Sequence, residues 1–352
     1  MTYAWVATPA PLDALGALGT LDLVVRLAAG ASLVSCAELL TSRRQLAPGG
    51  WLDWEILRLV PRYVRRSFPA VLANHCFVHP RYQLLLWAQS VLSAALFVWP
   101  RLWPVALCVA VLHVAEMTRD RWSSDGADEL IVIVLVAAAI GYQPGSRVAA
   151  TACLAFLSLQ LTIGYATAGL SKAQSATWRS GYAVVGILRT TIYGDPRLAR
   201  ILARHSLAAS LLAWTVILGE LALGAIWFLP GVLIPPFLAC GLLFHVGCAR
   251  LMGLNTFLWA FPALYPAALA IPELRATAYA HAGQLLFLVL PLAAGLCGLW
   301  FWLGHRALSS ADVTRRGTPK HRSPTRVRPL RPAPRIPGRQ RPTPPLPVEE
   351  RT

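Results

Sequence analysis

The chain has 352 residues, of which 56% are apolar and only 14% charged, and its mean hydropathy is +0.53. Length alone would allow several soluble domains; these proportions exclude that and describe a polytopic membrane protein. The formal net charge is +16, but +9 of it comes from Gly304 to Thr352, where twelve Lys/Arg face only Asp312, Glu349 and Glu350. An Arg-rich segment next to a membrane binds anionic lipid more simply than nucleic acid, so no nucleic-acid partner is expected. The seven cysteines form no CxxC pair and mostly lie inside apolar runs, which reads as buried thiols, with neither a disulfide framework nor a metal site. No Lys/Arg-bearing segment precedes the first apolar run, so that run is expected to direct insertion without being cleaved.

In chain order, residues 1–20 are a short, turn-prone N-terminal segment with Asp13 as its only charge. A first span is expected over Leu21–Leu40. Trp51–Phe68 mixes Trp, Leu and Arg at near-helical spacing, which predicts a helix lying in the membrane interface and broken at Pro61. Further spans are expected over Tyr82–Trp99, Val105–Met117, Leu130–Tyr142 and Val148–Leu170. A long arginine-bearing loop should follow, then spans over Leu207–Leu229 and Val232–Ala249. Leu254–Ile271 carries Pro262 and Pro266, so it should be kinked or re-entrant. A last span is expected over Gln284–Leu303. The fold class is therefore all-α: a helical bundle of about eight to nine spans over residues 21–304. Residues 305–352, rich in Pro and Arg, form a disordered tail.

Orientation follows from the basic residues. If the first loop is inside, 28 of the 32 Lys/Arg are inside, and the outer loops hold only Arg101, Arg147 and Arg275. That asymmetry predicts a cell-membrane protein with its N-terminus outside and its C-terminus in the cytoplasm. Under this layout Glu38, His113, Glu116, Asp125, Asp128, Glu129, Lys172 and His245 gather at one end of the bundle. Arg26 and Glu220 are the exceptions. Each has a plain reading, such as a solvated loop-end charge or a Glu116–Arg119 pair, and also a functional one.

The most informative stretch is Gln160–Asp195. Tyr165 and Lys172 are seven apart and share a helix face. Gly164 and Ala168 form a small-xxx-small pair that would admit a neighbouring helix. Lys172 is either a lysine snorkelling to the headgroups or a functional base. Tyr165 to Lys172, followed by Trp178-Arg179-Ser180-Gly181, resembles the motif of the HTTM (horizontally transferred transmembrane) family, related to vitamin K-dependent gamma-carboxylase. In that motif the lysine acting as base falls on Lys172, and the lysine before it is replaced here by Ser171. Asp120 to Asp125 resembles a family loop in which Asp125 stands where a functional histidine is expected. Phe244-His245 and Gly253 to Phe257 are similar to later family positions, and Arg26 and Glu220 also fall where the family places charges. The resemblance covers roughly Leu21–Leu303, and the large non-membrane region of the eukaryotic enzyme is absent.

The resemblance implies a membrane enzyme in which Lys172 deprotonates a reduced quinone of the menaquinone or vitamin K type. His245 would assist proton transfer or steady an oxyanion, Asp125 would be catalytic by its place in the motif, and the product would be a modified peptide or lipid. Tyr165, Trp178, Arg179, Arg26, Glu220 and Asn255 would then bind substrate. No metal is expected. In the carboxylase the lysine faces the lumen, whereas the arginine count here places Lys172 inside. Two other classes compete with the enzyme: a non-catalytic partner such as a toxin-maturation or immunity factor, and a transporter, for which no inverted repeat is visible.

Overall fold

In the computed structural model, residues 11–59, 68–120, 124–143, 147–191 and 193–280 are described. The chain divides into two compact units, Met1–Leu296 and Cys297–Thr352, and every described residue belongs to the first. The expected last span, the tail, the break at Pro61 and the motif residues Arg121, Trp122 and Ser123 lie outside the described residues.

Every regular element among the described residues is helical. The first half of the chain gives α1 (Pro11–Thr41), α2 (Arg43–Leu46), α3 (Trp54–Leu57), α4 (Phe68–Cys76), α5 (Arg81–Val98), α6 (Trp103–Arg119) and α7 (Gly126–Gly141). Next come α8 (Arg147–Gln174), α9 (Ala176–Arg179), α10 (Tyr182–Leu188), α11 (Pro196–Arg204) and α12 (Ser206–Gly224). The last described are α13 (Ile234–Met252), α14 (Asn255–Ala260), α15 (Tyr265–Leu269) and α16 (Ile271–Ala280). Among the described residues, four helices are long and apolar enough to cross a membrane: Gly16–Thr41, Arg147–Gln174, Ser206–Gly224 and Gly231–Met252. Helices α5, α6 and α7 have 18, 17 and 16 residues, at or below the usual length of a span.

α1 is the centre of the bundle. Leu21, Val24, Val25, Ala28, Ala29 and Ala31 are all buried, a wider band than one amphipathic stripe, because α5, α7, α8, α14 and α15 all pack on it. In lipid, helices associate through close packing more than through the hydrophobic effect, and small residues permit it. A Cβ on Gly141 would stand 2.7 Å from Leu21 and 3.2 Å from Cys153, and one on Gly30 would meet the Trp259 ring at 3.2 Å.

Three expectations are corrected. The long loop after α8 is instead helical. Val184, Val185 and Leu188 of α10 and Ala199 and Leu202 of α11 pack with Ala209 and Ala213 of α12 into a small core. The interface helix is not seen in its described part. Trp54 sits in a one-turn helix, buried against Phe77 in an edge-on ring contact. The face of α8 that admits a neighbour is also not that of Gly164, which has open space where a Cβ would go. The close approach is at Gly169, against Leu221, and at Ala166, against Gly224 of α12.

The segment with Pro262 and Pro266 is broken as expected. α14 ends at Ala260, a 3-10 turn spans Pro262–Leu264, and α15 and α16 follow. Each proline falls in the first turn of a new piece, where its missing N–H costs nothing. Ala260, Ala263, Leu264, Ala267, Ala268 and Ala270 are buried, so the irregular backbone is shielded by protein.

The α8–α12 contact gives a direct test. Gly224→Ala would place its Cβ 2.7 Å from the backbone of Ala166. It should lower thermal stability in detergent by about 1–3 kcal/mol. Gly164→Ala should be neutral or stabilising by up to about 1 kcal/mol. The opposite ranking would contradict this packing.

Candidate functional site

The site begins at the end of α8, where the local sequence accounts for each turn. Ser175 caps α9, accepting from the N–H of Trp178. Arg179 Nη1 donates to the carbonyl of Ala173 at 2.7 Å, satisfying one of the orphan carbonyls at the end of α8. Gly181 has φ +79°, and a Cβ there would stand 2.5 Å from the backbone of Ala209. The Trp-Arg-Ser-Gly sequence is thus a hinge that folds the chain back onto α12. It brings Trp178 beneath Lys172, whose Nζ lies 5.2 Å from the ring centroid.

Lys172 Nζ donates to both carboxylate oxygens of Glu220 on α12, at 2.8 and 2.7 Å. Glu220 is 6% exposed, so this is a largely desolvated pair. Beside it, the Tyr165 hydroxyl lies 2.7 Å from Nε2 of His245 on α13 and 3.1 Å from the hydroxyl of Tyr265. The His245 ring stacks on Phe261 with centroids 4.7 Å apart, and its Nδ1 is buried with no hydrogen-bond partner among the described residues. A Cβ on Gly241 would stand 2.5 Å from the Tyr265 hydroxyl, so that glycine makes room for the network.

A cleft of about 270 Å³ lies near this network. Five carboxylates line it: Glu38, Glu116, Asp120, Asp125 and Asp128. Asn255 Nδ2 donates to Glu38 Oε1 at 2.7 Å, and Gly253, with φ +70°, makes the turn that brings Asn255 there. Phe257 lines the cleft and stacks on Phe261, so the cleft wall is only a ring or two from His245. Behind the carboxylates is a buried polar lattice. His113 Nδ1 is 3.3 Å from Glu116 and its Nε2 is 3.3 Å from Asp128. Gln89 Nε2 donates to Glu116 at 3.0 Å and to Ser32 at 3.2 Å, and the Ser35 hydroxyl donates to Glu116.

The sequence-predicted residues therefore divide into groups. Lys172, Glu220 and Trp178 meet; Tyr165 and His245 meet; Asp125 and Asn255 share the cleft. Arg179 caps α8 through the carbonyl of Ala173, and the partner of the Lys172 amine is a carboxylate. Arg26 belongs to the opposite end of the bundle. It donates to the carbonyl of Phe97 at 2.5 Å, near Asp22, which binds Arg101 and Tyr142. Twelve residues of helix, about 18 Å, separate Arg26 from Glu38. Glu116 does not pair with Arg119, which donates to the carbonyl of Leu52 and lies over the Tyr82 ring at 4.0 Å.

Asp125 also has a structural role. It caps α7, accepting from Ala127 N–H at 2.8 Å, while Asp128 accepts from the Asp125 N–H at 3.1 Å. Gln89, Ser32, Ser35 and Tyr265 were not anticipated; the available signal was polar residues at helical spacing inside apolar helices.

No family model matches the chain, and neither a curated protein nor a solved structure matches it.

Burial, and then the Asp128 charge, push the Asp125 carboxyl up from 3.8 to about 6. The folded state therefore holds this proton to higher pH than the unfolded chain. The resulting stability is complete below the unfolded value and is lost as pH rises through about 6. Asp128→Asn keeps the capping oxygen and removes the charge, so the Asp125 titration should move down toward the ordinary range. Infrared difference spectra against Asp125→Asn, followed by pH, would show it. A titration unmoved by Asp128→Asn would mean that the two carboxylates are not coupled.

Proposed function

We propose that the chain is an integral membrane protein of HTTM type with about eight to nine spans, and that it acts as an enzyme by proton transfer. Its reaction centre is the Lys172–Glu220 pair, with Tyr165 and His245 beside it. One observation carries this reading. Lys172 of the motif and Glu220, a charge the resemblance singled out separately, on different helices and 48 positions apart, are joined at 2.7 and 2.8 Å in a largely buried pair. Ionisable groups inside a membrane helix point to function by default.

The pair supplies a base without creating a new charge. Passing one proton from the Lys172 ammonium to Glu220 leaves a neutral amine and a neutral acid. The amine lone pair then accepts the proton of a substrate, and Glu220 gives its proton to the product anion, which restores the ammonium–carboxylate pair. Moving a proton within a pair avoids the separated charges that a low-dielectric site penalises. His245, bonded to Tyr165, serves as the neighbouring proton carrier.

The resemblance implies a reduced quinone and a peptide or lipid substrate, and the described residues do not fit the quinone well. His245 is 1% exposed and stacked against Phe261, so no ring-sized space lies beside it, and no step is routed through a quinone. A cleft lined by five carboxylates repels anionic groups. It suits a peptide or lipid bearing an amine or guanidinium group, bound beside the reaction centre, since Lys172, Glu220, Tyr165 and His245 do not line the cleft. The arginine asymmetry of the sequence puts the cleft end inside the cell, with the N-terminus out and the basic tail in contact with anionic lipid.

The test is mass spectrometry of lipids and small peptides from cells with and without the chain. Wild type should yield a modified product. Lys172→Arg should insert normally and lose it, with a rate loss of about 10²–10⁴-fold, because guanidinium stays protonated. Glu220→Gln should lose it as well. If Lys172→Arg keeps full activity where deleting the whole chain does not, the enzyme reading fails and the chain is a non-catalytic partner.

A further inference from the structure

The two kinds of basic residue are used very unequally. The chain has thirty arginines and two lysines, Lys172 and Lys320. Either kind keeps its charge near a membrane and snorkels, so orientation and headgroup contacts are met here by arginine. An arginine at position 172 would also reach a carboxylate, and would bind it with two parallel hydrogen bonds. What guanidinium lacks is an amine that sheds its proton and attacks carbon. Among the described residues there is one lysine, and a buried carboxylate holds its amine.

The pair is asymmetric. The Lys172 side chain is 20% exposed and that of Glu220 8%, so the amine is the more accessible member and the carboxylate the more shielded one. The helices that carry them, α8 and α12, are both candidate membrane spans. Nζ also lies 5.2 Å from the ring centroid of Trp178, and an indole face favours a cation there. An accessible amine, a shielded acid and a site that keeps a nitrogen cation are the requirements of condensation with a carbonyl group.

We propose that Lys172 is a nucleophile that forms an imine with an aldehyde dissolved in the membrane. The ammonium first passes a proton to Glu220. The amine nitrogen then bonds to the carbonyl carbon, and the π electrons of the C=O bond move to the oxygen. Glu220 gives its proton to that oxygen and takes one from the nitrogen, which leaves a neutral carbinolamine. It next protonates the hydroxyl, the C–O bond breaks, water leaves, and the nitrogen lone pair forms the C=N bond. The site begins as ammonium and carboxylate and ends as iminium and carboxylate, with one water released. No net charge is created or lost, and Glu220 stays the partner of the cation, as a low-dielectric site requires. Because both helices are candidate spans, the aldehyde is one that partitions into lipid. The proposal rests on the same pair as the proton-transfer reading but not on that reading, since a base leaves its substrate unattached.

The test uses the full chain in detergent, with hexadecanal as probe and sodium cyanoborohydride to reduce the imine to a stable amine. Peptide mass spectrometry then locates the adduct. In wild type Lys172 should label at least about 10²-fold faster than Lys320, the gain that a positioned acid supplies. Lys172→Arg should remove that label and leave the one on Lys320. Glu220→Gln should slow labelling of Lys172 by about 10²-fold. Glu220→Asp, which keeps the charge, should slow it less, and it takes the place of Glu220→Gln if thermal unfolding shows that the latter does not fold. Equal labelling of the two lysines in wild type would overturn the proposal, as would a folded Glu220→Gln chain that labels at the wild-type rate. If Lys172 stays unlabelled while the chain makes its modified product in cells, the imine is wrong and the base stands. If Lys172 labels and no product is found, the imine stands and the base reading fails.

Discussion

A charge inside a membrane helix must find a partner, and the architecture around α8 follows from that constraint. Lys172 finds Glu220 only because α12 runs back along the end of α8, and α12 does so only because small residues let it. Ala166 against Gly224 and Gly169 against Leu221 set the approach, while Gly181 allows the hinge to lie against Ala209. Ser175, Trp178 and Arg179 then close the turn. Ala166, Gly169, Trp178, Arg179 and Gly181 of the motif thus help to hold one amine against one carboxylate. A pair of this kind is poor at raising stability, since desolvation offsets most of the attraction, but it strongly penalises any arrangement that separates its members.

The same constraint organises the two ends of the bundle. At one end Asp22 binds Arg101 and Tyr142, and Arg26 binds the carbonyl of Phe97. At the other end the carboxylates of the cleft are backed by Gln89, His113, Ser32 and Ser35. Between them lies an apolar core built around α1 and the alanine-rich α7 and α15. The first end is closed by ion pairs and hydrogen bonds, whereas the second opens into a cleft with an excess of negative charge.

Much of this was legible in the sequence, and the failures share a cause. Hydropathy located α1, α5 to α8, α12 and α13, and the prolines located the break before α15. Periodicity says which residues share a helix face, not which face is covered, so Gly164 and Ala168 were expected to admit a neighbour that packs instead on Ala166 and Gly169. The helices α9 to α11 were read as loop because glycines and prolines cut them short and arginines lower their hydropathy. Their apolar positions pack on one another and on α12. Asp125-Gly-Ala-Asp128 has the spacing of a capping box, yet its place in the motif drew it toward catalysis. Lys172 and Glu220 were both singled out, but pairing across 48 residues is a property of the fold.

The central claim is that Lys172 and Glu220 satisfy each other, and a double-mutant cycle tests it most directly. Thermal unfolding in detergent would be compared for wild type, Lys172→Met, Glu220→Leu and the double variant. The account predicts that each single change, which strands a buried charge, lowers stability by about 3–5 kcal/mol. The double variant should recover most of that loss, with a coupling well above about 1 kcal/mol. Single effects that simply add would show that the two groups do not depend on each other, and would contradict the account.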